Sequence, residues 1–408
     1  MWGFIMSLLL RNRGSILLLM INIFIIFVGI GLVIPILPKY MELLHINGSQ
    51  IGLMVAAFSI AQLIFSPIAG RISDRLGRKP VIITGMIIFA MSEWMFGASN
   101  SIPLLFIARA LGGVGAALIM PAVLAYAADI TTKQERAQGM GFINAAITTG
   151  FIIGPGIGGF VAQYGVRIPF YGAAVAGLIA AIVTFIFLPA RVEVADKDVN
   201  EALQEDKASI PLLKQLALSV KEPYFMSLII IFIASFGLAN FETVFTLYMD
   251  DKFGFSTIDI AYIITFGSIA GAVIQATAFG TILNKFGEFK VITTCLFASA
   301  VFIVLTIFVH KYWLIFAVTF LVFLAMDILR PALGTLMSKM TTTEQGYVDG
   351  LNSAYTSLGN IIGPIIAGML YDINIDYPYL LAGVVLFLCF VLSAATGRKY
   401  LTAPSNSN

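Results

Sequence analysis

Twelve stretches of mostly apolar residues, each long enough to cross a bilayer, divide this chain and leave little room for any fold but a polytopic helical one. A spanning helix needs about 20 such residues. The stretches fall at 15–37, 50–70, 79–98, 103–125, 138–162, 167–190, 224–249, 257–281, 289–309, 311–335, 347–371 and 376–397. Shared among twelve spans, 408 residues leave about 34 for each span with its connection, so most loops are short. Composition agrees, with 59% hydrophobic and 11% charged residues. A soluble domain carries about 25% charged residues. A water-soluble enzyme of this composition would leave most of its apolar surface wet, and that class is excluded.

The longest interruption is 191–223, whose first 32 residues include twelve charged ones, among them Arg191, Asp198, Glu205, Lys214 and Glu222. It reads as a charged cytoplasmic linker. The expected organisation is a six-helix bundle over 1–190, the linker over 191–223, a second bundle over 224–397 and a cytoplasmic tail over 398–408. Lys and Arg are unevenly divided between the two sets of loops. Eighteen fall in the set that includes both termini, the 70–79 loop and the linker; four fall in the other set (Lys39, Arg167, Lys252, Lys311). Cytoplasmic loops carry the excess of Lys and Arg, which predicts that both termini are cytoplasmic. A net charge of +2 gives no reason to expect a nucleic-acid partner.

Cys295 and Cys389 lie inside apolar runs, and His45 and His310 stand alone, so neither a disulfide framework nor a metal site is expected. The first hydrophobic stretch is too long for the apolar core of a signal peptide and reads as a retained span. Gly112-Gly-Val-Gly115 lies within a span and is no phosphate loop.

The two halves resemble each other. Pro121 matches Pro331 at an offset of 210 residues, and Gly154-Pro155 matches Gly363-Pro364 at 209. Gly70 and Gly280 open corresponding loops at 210. Parallel six-span repeats are an architecture of secondary transporters.

The loop after span 2 reads Gly70-Arg-Ile-Ser-Asp74-Arg75-Leu-Gly77-Arg78-Lys79. It resembles the G-x-x-x-D-R-x-G-R-K signature of the major facilitator superfamily. Span 5 carries Gly150-x3-Gly154-Pro155-x2-Gly158-Gly159, similar to a motif of the superfamily's drug–proton antiporters. Glycines four apart share a helix face and permit close contact, while Pro155 removes a backbone donor. Arg109-Ala-Leu-Gly112-Gly113 is similar to the family's R-x-x-x-G motif. The strings around Glu242, around Asp327-Ile-Leu-Arg330-Pro331, and Gly350-Leu-Asn352 to Asn360 resemble the Bmr/NorA-type multidrug exporters of Gram-positive bacteria. In a bacterial protein the Asn47-Gly-Ser glycosylation sequon is coincidental.

Five charges sit at bilayer depth, where an ionisable group costs at least about 2.5–3.5 kcal/mol. Asp327 and Arg330 are three apart and share a helix face, so a structural ion pair is one reading. Glu242 has no cation within a turn of its own helix, and burial there favours a carboxyl that carries a proton. The resemblance implies that Glu242 and Asp327 couple transport to protons, with Arg330 beside them. Arg109 is expected to pair with a carboxylate or relay the protonation change. Glu93, between Ser92 and Trp94, is expected to hold a local hydrogen-bonded role. Asp74 is expected to help latch the inner gate by facing the N-terminal dipole of a second-half helix such as span 11, with a salt bridge to Arg78 or Arg136 as the rival.

The chain has 33 Phe, 14 Tyr and 16 Met. Phe241, Phe245 and Tyr248 lie within two turns of Glu242, and Phe323 lies one turn before Asp327. Phe27, Phe151 and Asn360 match cavity-lining positions of the resembled family. An aromatic pocket with anionic carboxylates suits lipophilic cations through burial and cation–π attraction. The expectation is an all-α membrane protein of twelve spans in the bacterial cytoplasmic membrane. It would be a proton-coupled drug antiporter, not an enzyme, with no cofactor beyond the proton gradient and sufficient as a monomer. A dedicated exporter of one metabolite, sugar or lipid is the alternative.

Overall fold

The structure, a computed structural model, describes residues 2–189, 212–220, 222, 224–340 and 345–400. The expected tail beyond 400 and all of the linker except 212–220 and 222 lie outside the described residues. Every regular element among the described residues is helical. In chain order these are α1 (Trp2–Val33), α2 (Leu37–Leu44), α3 (Gly48–Leu76), α4 (Arg78–Ala98), α5 (Ile102–Asp129), α6 (Lys133–Val161) and α7 (Ile168–Phe187). There follow α8 (Leu212–Ser219), α9 (Phe225–Phe253), α10 (Thr257–Thr277), α11 (Phe279–Phe286), α12 (Glu288–Phe308), α13 (Tyr312–Met340), α14 (Gln345–Ile373) and α15 (Tyr377–Tyr400).

Eleven stretches among the described residues are long and apolar enough to cross a membrane. The twelfth expected span, 347–371, forms helix α14 but is not among the eleven. Asn352, Ser353, Thr356, Ser357 and Asn360 punctuate its apolar residues. The span expected over 257–281 is also divided, with α10 ending at Thr277 and α11 starting at Phe279.

Local signals set the helix ends. Gly77 (φ 92°) closes α3 and Gly287 (φ 78°) closes α11. Only glycine adopts that left-handed region without a Cβ clash. The two are 210 residues apart, and each is followed by a 21-residue helix. Helix α6 opens on a capping box, in which the Glu135 carboxylate accepts from the Thr132 backbone N–H (3.2 Å).

The helices group into two compact units. Unit 1 holds α1, α2, α3 from Met54 onward, α4 to α7 and residues 249–265. Unit 2 holds residues 48–53, α8, α9 up to Tyr248, the chain from Phe266 and the helices through α15. The core of unit 1 includes Ile16, Leu19 and Ile23 of α1, Met86 and Phe89 of α4, Val123 and Tyr126 of α5 and Ile143 of α6.

In both units the matched glycines sit where helix backbones nearly touch. In unit 1, a Cβ on Gly154 of α6 would stand 2.8 Å from the Cα of Gly31 in α1. In unit 2, a Cβ on Gly363 of α14 would stand 2.8 Å from the carbonyl oxygen of Phe236 in α9. The matched Gly-Pro strings of the two halves therefore perform the same packing task.

Candidate functional site

The ionisable cluster lies in unit 2, on α9 and α13. Arg330 reaches from α13 and donates from Nη2 to Oε1 of Glu242 on α9, at 2.6 Å. The side chains are 53% and 37% exposed respectively, so the pair remains accessible. Helix spacing placed Arg330 on the same face as Asp327, but its hydrogen bond goes to the other carboxylate. Glu242 has no cation within a turn of its own helix, and the neighbouring helix supplies one.

Asp327, one turn before Arg330, turns towards α10. A Cβ added to Gly271 of α10 would stand 2.6 Å from the Cβ of Asp327 and 2.8 Å from its Cγ. Any side chain at 271 would therefore collide with the carboxylate. Four residues along α10, Gln275 donates from Nε2 to the Asp327 carbonyl at 2.8 Å. Four residues the other way, Gly267 leaves room for Phe323, whose Cβ would lie 2.9 Å from a Cβ there. Phe323 and Asp327 thus sit in two successive notches of one helix.

Phe241, Phe245 and Phe323 form a cluster with ring centroids 5.1–6.0 Å apart. Tyr379 of α15 joins it, 5.2 Å from Phe241 and stacked on Tyr248 at 3.9 Å. The Tyr248 hydroxyl donates to Asp376 at 2.6 Å. Phe241, Phe245 and Tyr248 are buried in this packing, so a ligand reaches them only if the cluster opens. Asn360 is exposed on α14.

In unit 1, Phe27 of α1 meets Phe151 of α6 edge to face at 4.8 Å. Gly150 makes this possible, since a Cβ there would stand 2.7 Å from that of Phe27. Gly158 abuts the backbone of Leu32, and Pro155 lies against Gly31. Arg109 of α5 lies over the Phe96 ring of α4, 4.4 Å from its centroid.

The expected 70–79 loop is almost wholly helical, since α3 runs to Leu76 and α4 starts at Arg78, and Arg78 holds the motif's acidic residue. Its guanidinium pairs with Asp74 and donates to Ser73 (3.3 Å) and to Asp129 of α5 (3.1 Å from Nε). Arg75 is exposed, and no neighbour approaches a Cβ built at Gly70. The alternative partner Arg136 has a side chain outside the description.

Sequence reasoning missed Asp129, Gly271, Gln275 and Tyr379. Only the glycines carried a signal: Gly267 and Gly271 repeat the four-residue spacing of Phe323 and Asp327. Among the described residues, no group of three or more His, Cys, Asp or Glu is placed to hold a metal ion.

The family model described as Major Facilitator Superfamily matches residues 19–278 and 227–406. The chain belongs to that superfamily, a family of transporters rather than enzymes. Multidrug resistance protein 2 of Bacillus subtilis (strain 168) is 47% identical over 389 residues, covering 95% of this chain and 96% of the relative. Multidrug resistance protein 1 of the same strain is 46% identical, with 94% and 97% covered. Quinolone resistance protein NorA of Staphylococcus aureus is 40% identical, with 92% and 96% covered. Among solved structures, the nucleoside transporter NupG superposes with a TM-score of 0.77 at 16% identity, covering 96% of this chain and 100% of that one. A bacterial homologue of the lysosomal transporter Spinster gives 0.77 at 14%, with 96% and 98% covered. These structural likenesses establish the fold. With its apolar helices and bacterial relatives, the chain is a multi-pass protein of the bacterial cytoplasmic membrane.

Proposed function

We propose that this protein is a proton-coupled antiporter that exports structurally diverse lipophilic and cationic drugs by alternating access. The observation that carries this reading is the Arg330–Glu242 pair, with Asp327 one turn away, in a chain 40–47% identical to multidrug resistance proteins. An accessible carboxylate already bound to a guanidinium can exchange that partner for a cationic drug. Binding a proton to Glu242 or Asp327 cancels the charge that holds the drug, so one site binds the two cargoes in turn. The coupling roles of Glu242, Asp327, Arg330 and Arg109 belong to this proposal. So do twelve spans, cytoplasmic termini, bundles over 1–190 and 224–397, and function as a monomer.

Aromatic surfaces favour lipophilic cations through contact area and cation–π attraction. Phe27, Phe151 and Asn360 offer accessible surface. Phe241, Phe245, Tyr248 and Phe323 supply an aromatic wall once their cluster parts. Phe walls that repack suit a broad drug range better than a rigid set of hydrogen bonds.

The test is ethidium efflux from energised cells expressing the protein, with and without a protonophore. Efflux abolished by the protonophore supports the reading. Absence of efflux from well-expressed protein moves the function to a single metabolite, sugar or lipid.

A further inference from the structure

Glu93 of α4 is a buried carboxylate that the transport reading leaves without a role. It is 5% exposed, and its Oε2 is buried with no hydrogen-bond partner among the described residues. The neighbours expected to hold it do not. The Ser92 hydroxyl donates to the Phe89 carbonyl at 2.9 Å, and Trp94 is 60% exposed. A buried acid that accepts no hydrogen bond is costly as an anion and tolerable as a neutral carboxyl.

The surrounding elements present few charges. Helix α5 contributes Arg109, a cation whose charge acts on Glu93. Arg109 in turn feels Glu93 and Tyr40, while its guanidinium rests on the Phe96 ring. Helix α2 contributes Tyr40, whose hydroxyl donates to the Phe96 carbonyl at 2.5 Å. Helix α7 contributes Tyr171, beside Gly97 one turn further along α4. Arg167, just before α7, bonds to Asn100. Phe96 stacks on Phe170 at 4.9 Å and on Tyr40 at 5.4 Å. Arg109 therefore has two alternative attractions: an aromatic face, and a carboxylate whose charge depends on one proton. Glu93 lies five residues from the end of α4 that is remote from the 70–79 loop. At 1.5 Å per residue that is about 7–8 Å from the helix end, a short path for a proton from water.

We propose that Glu93 is a second proton-binding group of this transporter, housed in unit 1, and that its charge state sets the position of Arg109. The step is a protonation only: a proton from water adds to the carboxylate oxygen, and no other bond forms or breaks. With Glu93 neutral, Arg109 stays on the Phe96 ring. With Glu93 ionised, Arg109 is drawn from the ring to the carboxylate. The coupling significance of this switch rests on the proton-antiport reading above, whereas the binding of the proton itself does not.

The experiment is infrared difference spectroscopy of the purified full-length protein in lipid between acidic and alkaline pH. The expected result is a protonated-carboxyl band that Glu93→Gln removes and that the Glu242→Gln/Asp327→Asn double variant retains. Arg109→Gln, which keeps Glu93 itself, should move the pH at which that band appears. A band set unaffected by Glu93→Gln, or a Glu93 band whose midpoint ignores Arg109→Gln, overturns the proposal. If the band behaves as expected while ethidium efflux proves indifferent to the protonophore, the antiport reading falls and Glu93 stands as a proton-binding group.

Discussion

Arg330 donates to Glu242 across 2.6 Å, although Asp327 is the carboxylate one turn away on its own helix. The two acids of unit 2 are thereby separated: one is ion-paired and accessible, the other lodged in a notch of α10. This separation gives the two carboxylates different expected mutant behaviour.

Glu242→Gln removes the acceptor and leaves Arg330 without its bonded counter-charge, with Asp327 alone nearby. The released guanidinium repels cationic drugs, so ethidium export should be lost at normal membrane abundance. The double variant Glu242→Gln/Arg330→Gln removes that cation and should regain ethidium binding without regaining proton-driven export. Fluorescence binding and efflux assays measured side by side check both statements.

Gly271→Ala places a methyl group where the Asp327 side chain now lies. Overpacking of this kind costs about 1–3 kcal/mol, so the variant should be less heat-stable in detergent. Its export should fall further than that of Gly267→Ala, which displaces only Phe323. Equal export by the two variants would mean that the notch at 271 has no part in placing the acid.

Arg78 joins α3, α4 and α5 by bonding Asp74, Ser73 and Asp129. These pairs are partly exposed and contribute about 1 kcal/mol or less. Arg78→Ala should therefore assemble normally yet export ethidium more slowly, and Asp129→Asn should reproduce part of the defect. Membrane abundance by immunoblot separates slow export from poor assembly.

Asp372 of α14 accepts from the backbone N–H groups of Gly48 (2.7 Å) and Ser49 (2.9 Å), capping the start of α3. Asp372→Asn should cost about 1 kcal/mol. The amides of residues 48–53 should then exchange hydrogen faster, as hydrogen–deuterium exchange will register.

Much of this architecture is legible in the sequence because hydrocarbon imposes simple rules. Apolar length marks helices, Gly77 marks a sharp end, and the paired Gly154-Pro155 and Gly363-Pro364 strings mark helix crossings. The stretch 347–371 reads as a twelfth span by length, yet Asn352 and Asn360 interrupt the apolar pattern of α14. Partner choice was less legible than position. Spacing along one helix put Arg330 near Asp327, but only three-dimensional packing brings Glu242 closer to it. Asp129 was invisible for the same reason, lying 51 residues from Arg78. Phe241, Phe245 and Tyr248 lie near Glu242 in sequence, yet helix rotation turns them into the packed interior of unit 2.

The most direct measurement is transport by the purified protein in proteoliposomes, with an imposed pH gradient as the sole energy source. The account predicts that the gradient drives ethidium accumulation, that drug added on the opposite side moves protons, and that Glu242→Gln and Asp327→Asn each abolish both. Ethidium movement that is indifferent to the gradient, or proton movement that survives loss of both carboxylates, would contradict it.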